Sequence, residues 1–167
     1  MTTEPSTQAF ERLVATLDYP MFVVTTRAAD GAQAGCLVGF ASQTSIHPPL
    51  FLIGLSRRNR TYRVAEHATH LAVHVLSRRH RDVAELFGGQ TGDRIDKFER
   101  CAWRPGPEGL PILEDASAWF VGLVLNRFDV GDHVGHLLDP VAGMSPEGFE
   151  DWLSFSDLRD VEPGHEA

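Results

Sequence analysis

The stretch GCLVGFASQTSIHPPLFLIGL, Gly35 to Leu55, sets small and hydroxyl-bearing residues ahead of a double proline and an unbroken apolar run. Pro48-Pro49 excludes a helix and cannot donate ladder hydrogen bonds. Leu50 to Leu55 is short and apolar throughout, the pattern of a buried strand. Gly35 to Ser45 reads as a returning strand that runs into an irregular loop. Two readings of its small residues stay open. They let another molecule approach the backbone, where N–H and hydroxyl groups can hold it. Alternatively they suit the tight packing of a plain strand-turn-strand.

On the N-terminal side, Met21 to Arg27 is β-rich and ends in the turn Asp30-Gly31. Before it, Phe10, Leu13, Val14 and Leu17 fall at i, i+3, i+4 and i+7, a short amphipathic helix with Ser6 or Thr7 as N-cap. On the C-terminal side, Arg58 to Ala68 fits a helix with Val64 and Ala68 inward, and Leu71 to Leu76 a strand. Ser77 is placed to N-cap a helix whose Val83, Leu86 and Phe87 face inward and whose end is marked by Gly88-Gly89. Gly88 to Arg94 reads as a loop, and Trp103 to Pro111, rich in proline and glycine, as a surface crossing. Ser117 to Phe128 and the run from His133 to Gly143 form a hairpin about Asp129–Asp132. The acidic tail beyond Gly143 ends in a frayed EPGHEA.

That gives five to seven strands, joined by turns rather than by sustained βαβ alternation. The expected fold is mainly β, an antiparallel barrel with short flanking helices. No GxGxxG follows the first strand, which argues against a dinucleotide-binding α/β fold.

The 167 residues read as a single domain, 1–167, with the barrel at about 10–142 and an extension at 143–167. A hydrophobic share of 43% and a charged share of 23% are those of an ordinary globular chain. A net charge of −8 with no dominant basic patch argues against a nucleic-acid surface. Arginines do cluster at 57, 58, 60 and 63, and at 78, 79 and 81, which suits either a small anionic ligand or a solvated helix face. Cys36 and Cys101 sit in no metal or redox spacing and read as buried, reduced thiols. His67, His70, His74 and His136 share no face, so no metal site is read. No signal-peptide pattern and no apolar run of roughly 20 residues appears, so a cytoplasmic protein with no membrane association is expected.

Set in order, these pieces resemble the flavin reductase family of FMN-binding split β-barrels. The landmarks are Val23-Val24-Thr25-Thr26, Asp30-Gly31, Gly35 to Phe40, and Ser45-Ile46-His47-Pro48-Pro49. Ser56 to Thr61, the strand ending at Leu76-Ser77, Ala84 to Phe87, Asp96-Lys97-Phe98 and Gly131-Asp132-His133 follow. The resemblance covers about residues 10 to 142. It implies hydride transfer from NAD(P)H to FMN or FAD in an antiparallel split barrel of Greek-key type, a homodimer with flavin sites at the subunit interface, and an oxygenase partner that receives reduced flavin.

The resemblance also implies a site. Leu37, Val38, Gly39 and Phe40 would line the isoalloxazine, and Ser45 with Arg58, Asn59, Arg60 and Thr61 would meet the ribityl chain and phosphate. A guanidinium binds phosphate oxygens bidentately, which suits the arginines. His133 would stand near the nicotinamide as the candidate catalytic residue, a positioning role and a purely structural one both open. The sequence departs from the family's pattern at Leu37 and Gly39, where polar residues are common, at His47, where an acid is common, and in the tail. Those departures keep two other readings in view, an FMN-binding module without independent turnover and a deazaflavin-binding relative.

Overall fold

The computed structural model describes Thr3 and residues 6–164. Helix α1 (Ser6–Thr16) precedes β1 (Phe22–Arg27) and β2 (Gln33–Val38), which form a hairpin with Phe22 opposite Val38 and Arg27 opposite Gln33. Gly31, at φ 89°, closes that turn in a conformation open to glycine at little cost. Then come β3 (Ala41–Ser45), β4 (Leu50–Ser56), α2 (Arg60–Ala65), β5 (His70–Val75) and α3 (Arg81–Gly89). Two short strands, β6 (Trp103–Pro105) and β7 (Pro111–Leu113), pair with each other. The long strands β8 (Ala118–Asp129) and β9 (His133–Met144) complete the molecule. The seven main strands make one antiparallel sheet in the order β2-β1-β5-β8-β9-β4-β3.

The fold class expected from sequence, mainly β and antiparallel with few helices, is what the sheet shows. Its main core gathers Val24, Cys36, Val38, Ile53, Leu55, Leu71, Val73 and Leu138 beneath Ala65 of α2. Side chains of β2 and β4, near opposite ends of the pairing order, thus meet in one cluster, and each large one contributes about 1.5–3 kcal/mol by burial. The Thr25-Thr26 pair is fully buried and satisfied. Thr25 Oγ1 donates to the Pro111 carbonyl at 2.6 Å and Thr26 Oγ1 to the His70 carbonyl at 2.8 Å, tying β1 to β7 and β5. Arg127 Nη2 donates to the carbonyls of Ala65 and Ala68, satisfying the C-terminal end of α2.

Several local readings change. The Gly35–Ser45 run is two strands, broken at Gly39-Phe40. The loop read from Gly88 begins two residues later: Gly88 and Gly89 are the last residues of α3, and a Cβ at Gly88 would sit 2.6 Å from Leu37 Cδ2. Ser77 precedes a 3-10 turn (Arg78–His80), and its hydroxyl makes no capping bond and finds no partner. The Trp103–Pro111 crossing ends inside: Leu110 is buried and leads into Ile112 and Leu113 of β7. Cys101 is half-buried rather than buried, and its thiol is pushed up to about 11, first by burial and then by Asp115 and Asp96. Helix α1 forms as expected, yet Phe10, Leu13, Val14 and Leu17 are all exposed. The arginines of the second cluster stay at the surface, where Arg78 pairs with Asp157 and Arg81 with Asp160 and Glu85. Of the expected frayed end, Glu162–Gly164 lack regular structure, and His165–Ala167 lie outside the described residues.

Candidate functional site

Between β2 and β3 the chain passes through Gly39-Phe40, and the Phe40 carbonyl accepts the Gly54 N–H at 2.7 Å. Both glycines mark close approach. A Cβ on Gly54 would lie 3.2 Å from Phe40 Cβ, and one on Gly39 only 2.7 Å from the Tyr19 ring and 2.9 Å from Met21 Sδ. Around them opens a cavity of about 170 Å³, lined by Leu37, Val38, Gly39, Phe40, Ser56, Asn59 and His133 together with Tyr19, Met21 and Phe155.

The aromatic wall comes from the two ends of the described chain. Tyr19 and Phe155 stack with ring centroids 4.9 Å apart and planes 10° off parallel, and the Arg159 guanidinium lies 4.6 Å from the Phe155 ring. Backbone bonds Met21 N to Leu153 O and Phe155 N to Tyr19 O fix the register. Asp18 accepts from the Ser156 backbone N–H and hydroxyl, both at 2.8 Å, and the backbone bond leads in holding its carboxyl below the ordinary value.

His133 opens β9 at the tip of the β8–β9 hairpin. Its Nδ1 lies 2.6 Å from Asp132 Oδ1, its ring centroid is 4.8 Å from that of Phe40, and its own hydrogen bond leads in keeping the Asp132 carboxyl below the usual range. Arg57 fastens this tip to the end of β4. Its guanidinium pairs with Asp129 at 2.9 Å and donates to the Gly131 carbonyl, while its backbone N–H donates to Asp132 O.

A larger cavity, of about 550 Å³, lies beside the first. It is lined by Gly31, by Gln33 to Gly35, by Arg60 and Thr61, by Gly92 to Phe98 and by Trp103. The loop Ser56–Thr61 separates the two spaces, so that Asn59 faces one and Arg60 the other. Asn59 Oδ1 accepts from Thr61 N at 2.9 Å and caps α2. Thr61 is buried and hydrogen-bonds the Cys36 thiol.

The structure therefore brings Leu37, Val38, Gly39, Phe40, Asn59 and His133 together about one cavity and sets Arg60 and Thr61 on its neighbour. Neither lining includes Ser45, which sits at the end of β3 opposite Leu50, or Arg58. Tyr19 and Met21 were missed. No short-range pattern marks them, since their roles arise from contacts distant in sequence. His74 is the buried partner of two backbone groups, Val23 O and Leu113 N, and is occupied structurally.

Comparison with known proteins adds to this geometry. A family described as "Flavin reductase like domain" matches residues 14–157. A "Probable flavin reductase" of Rhizobium meliloti is 35% identical over 112 residues, covering 67% of this chain and 35% of its own. The 4-hydroxyphenylacetate 3-monooxygenase reductase component of Pseudomonas aeruginosa is 30% identical, covering 81% of this chain and 80% of its own. Among solved structures, an NADH:FAD oxidoreductase of Streptomyces globisporus superimposes with a TM-score of 0.81 over 94% of this chain and 93% of its own. At 21% identity it speaks for the fold alone. The chain spans 35% to 50% of the length of the first curated relatives it matches.

Proposed function

Because the chain belongs to the family of flavin reductase like domains, we propose that it passes hydride from NADH or NADPH to FMN or FAD. The observation that carries this is the cavity itself. Apolar and aromatic walls from Leu37, Phe40, Tyr19 and Phe155 suit a planar ring, and the polar edge at Ser56 and Asn59 leads into the arginine loop. At about 170 Å³ it falls below the roughly 300–1,000 Å³ of complete small-molecule sites, so it encloses part of a flavin rather than all of one. The relatives' names, reductase and reductase component, favour turnover over a binding module.

A flavin, when bound, supplies the two-electron acceptor for the hydride. The chain's own residues do the rest. Leu37 to Phe40 meet one side of the ring through backbone and apolar surface, and Gly39 keeps the main chain close. Asn59 would meet the ribityl chain, and a phosphate crossing the Ser56–Thr61 loop would find the guanidinium groups of Arg58 and Arg60, which offer paired donors to its oxygens. Hydride transfer needs close parallel placement and no acid or base, so His133 acts by positioning the nicotinamide, itself steadied by Asp132. Ser45 stands apart from the cavity in this chain and is assigned no contact.

The finer architecture in this reading is a split barrel of Greek-key type in one domain. The convergence of β2 and β4 on one core favours it. A homodimer with flavin at the interface accounts for the exposed apolar side chains of α1 and for Phe40, Phe128 and Val130. An oxygenase that accepts reduced flavin is the natural partner, as for the relatives named as reductase components. A cytoplasmic setting goes with the free thiols Cys36 and Cys101; no described helix is long and apolar enough to cross a membrane.

The test is NAD(P)H oxidation by purified protein with and without added flavin. Oxidation that depends on FMN or FAD supports the reading; its absence with both nucleotides and both flavins refutes it. Replacing Arg58 and Arg60 by alanine should weaken FMN binding about tenfold or more while riboflavin binding changes less.

A further inference from the structure

We propose that Arg57 is a positioning residue for hydride transfer: it clasps the tip of the β8–β9 hairpin and thereby aims the His133 ring at the smaller cavity. This rests on the reductase reading and gives a part in it to a side chain that lines neither cavity.

The tip needs a clasp because the strand ladders stop short of it. The β4–β9 pairing ends at Ser56 opposite His133, and the β8–β9 pairing at Asp129 opposite Val134. Residues 130–132 lie beyond both. Within the turn, Val130 N donates to His133 O at 3.1 Å and Gly131 N to Asp129 Oδ1 at 3.2 Å. Packing adds little there: Val130 is 57% exposed, and a Cβ on Gly131 would meet nothing within 4 Å. The His133 backbone is held by its pairing with Ser56. Its ring, however, takes its direction from Asp132 Oδ1, 2.6 Å from Nδ1, and Asp132 belongs to the turn.

Arg57 holds that turn at three stations. Its Nη2 pairs with Asp129 Oδ1 at 2.9 Å, its Nε donates to Gly131 O at 3.3 Å, and its backbone N–H donates to Asp132 O at 3.0 Å. The guanidinium carbon stands 6.0 Å from the centroid of the Tyr62 ring in α2. A planar fork can serve a carboxylate and a carbonyl together, whereas an ammonium is a single point of charge. With both side chains largely exposed, such a pair contributes little to folding. Its consequence is geometric. Arg57 also belongs to the Ser56–Thr61 loop, which presents Asn59 to the smaller cavity and Arg60 to the larger. The clasp therefore registers the His133 ring against the loop expected to carry the flavin's polar end, and hydride transfer is sensitive to such placement.

The experiment compares wild type, Arg57→Ala, Arg57→Lys, His133→Ala and the double variant Arg57→Ala/His133→Ala, all as the whole protein. KM and kcat for NADH are measured with FMN as acceptor, FMN affinity by titration, and hydrogen exchange at the Val130 amide. Arg57→Ala is expected to raise the KM for NADH about threefold to tenfold with FMN affinity unchanged, and Arg57→Lys to recover only part of the loss. In the His133→Ala background, removing Arg57 should add nothing further, because one acts through the other. Exchange at Val130 should quicken about fivefold or more in Arg57→Ala. The proposal is overturned if the two single effects on KM multiply, if Arg57→Lys matches wild type, if FMN affinity falls as far as the KM rises, or if Val130 exchange is unchanged. A wild type that oxidises no NAD(P)H with either flavin would refute the reductase reading and the role in hydride transfer with it. Faster Val130 exchange in Arg57→Ala would then leave the clasp itself standing.

Discussion

Lowering the pH from about 7.5 to about 5 should remove about 2 kcal/mol of folding stability through His74 alone. The Leu113 N–H donates to His74 Nε2 at 3.2 Å, so that nitrogen holds a lone pair, and Nδ1 carries the proton and donates to Val23 O at 2.9 Å. The neutral ring is the form that satisfies both partners. A second proton at Nε2 would set one N–H against another in a fully buried site. Burial lowers the pKa from 6.5 to about 4, the bond to Val23 opposing it weakly.

The sign follows. A base whose folded pKa is depressed leaves full stability above its unfolded pKa, and stability is lost as pH falls from about 6.5 toward about 4. The whole window is worth about 3 kcal/mol at 1.36 kcal/mol for each unit. Urea unfolding followed by tryptophan fluorescence across this range, in wild type and in His74→Gln, checks the reasoning. Glutamine can donate to Val23 and accept from Leu113 but cannot titrate. Its curve should be flatter by about 2 kcal/mol between the two pH values, whatever its absolute stability. Parallel curves would refute the account. His136, whose pKa burial also lowers, remains in both proteins and cancels in the comparison.

Three further outcomes are expected. Arg127→Ala strips the hydrogen bonds from the carbonyls of Ala65 and Ala68 and should cost about 1–3 kcal/mol in denaturant unfolding; an unchanged midpoint would mean water replaces the guanidinium without loss. Gly39→Ala drives a methyl into the Tyr19 ring, which Phe155 backs, and overpacking of this kind costs about 1–3 kcal/mol. Flavin titration should show weaker binding, and wild-type affinity would remove Gly39 from the site. His133→Ala should raise the KM for NAD(P)H severalfold with little change in flavin affinity; unaltered kinetics would leave His133 as a structural residue of the hairpin tip.

What the sequence revealed was carried by local chemistry. Pro48-Pro49 and the apolar Leu50–Leu55 announced β4 because proline and periodicity act over a few residues. The hairpin at Gly131 was legible for the same reason. Gly88-Gly89 did mark the end of α3, and only the approach of Leu37 from β2 shows why Gly88 must lack a Cβ. Leu110 looked superficial amid prolines, yet with Ile112 it joins a cluster completed by Ala72 and Val121 of the main sheet. At the site, Leu37 to Phe40, Asn59 and His133 were found through ordered motifs that resemble a family. Tyr19 and Phe155 carry no motif, and their meaning exists only once the strands have folded.

That wall has a consequence for the order in which the molecule matures. Tyr19 and Phe155 can meet only after nearly the whole described chain has been gathered, and closing so long a span is slow relative to forming adjacent hairpins. The main cluster beneath α2 draws on neither residue. A chain emerging from the ribosome can therefore set its main cluster before its cavity has both sides, and competence to grip a planar ring arrives only once Phe155 has emerged.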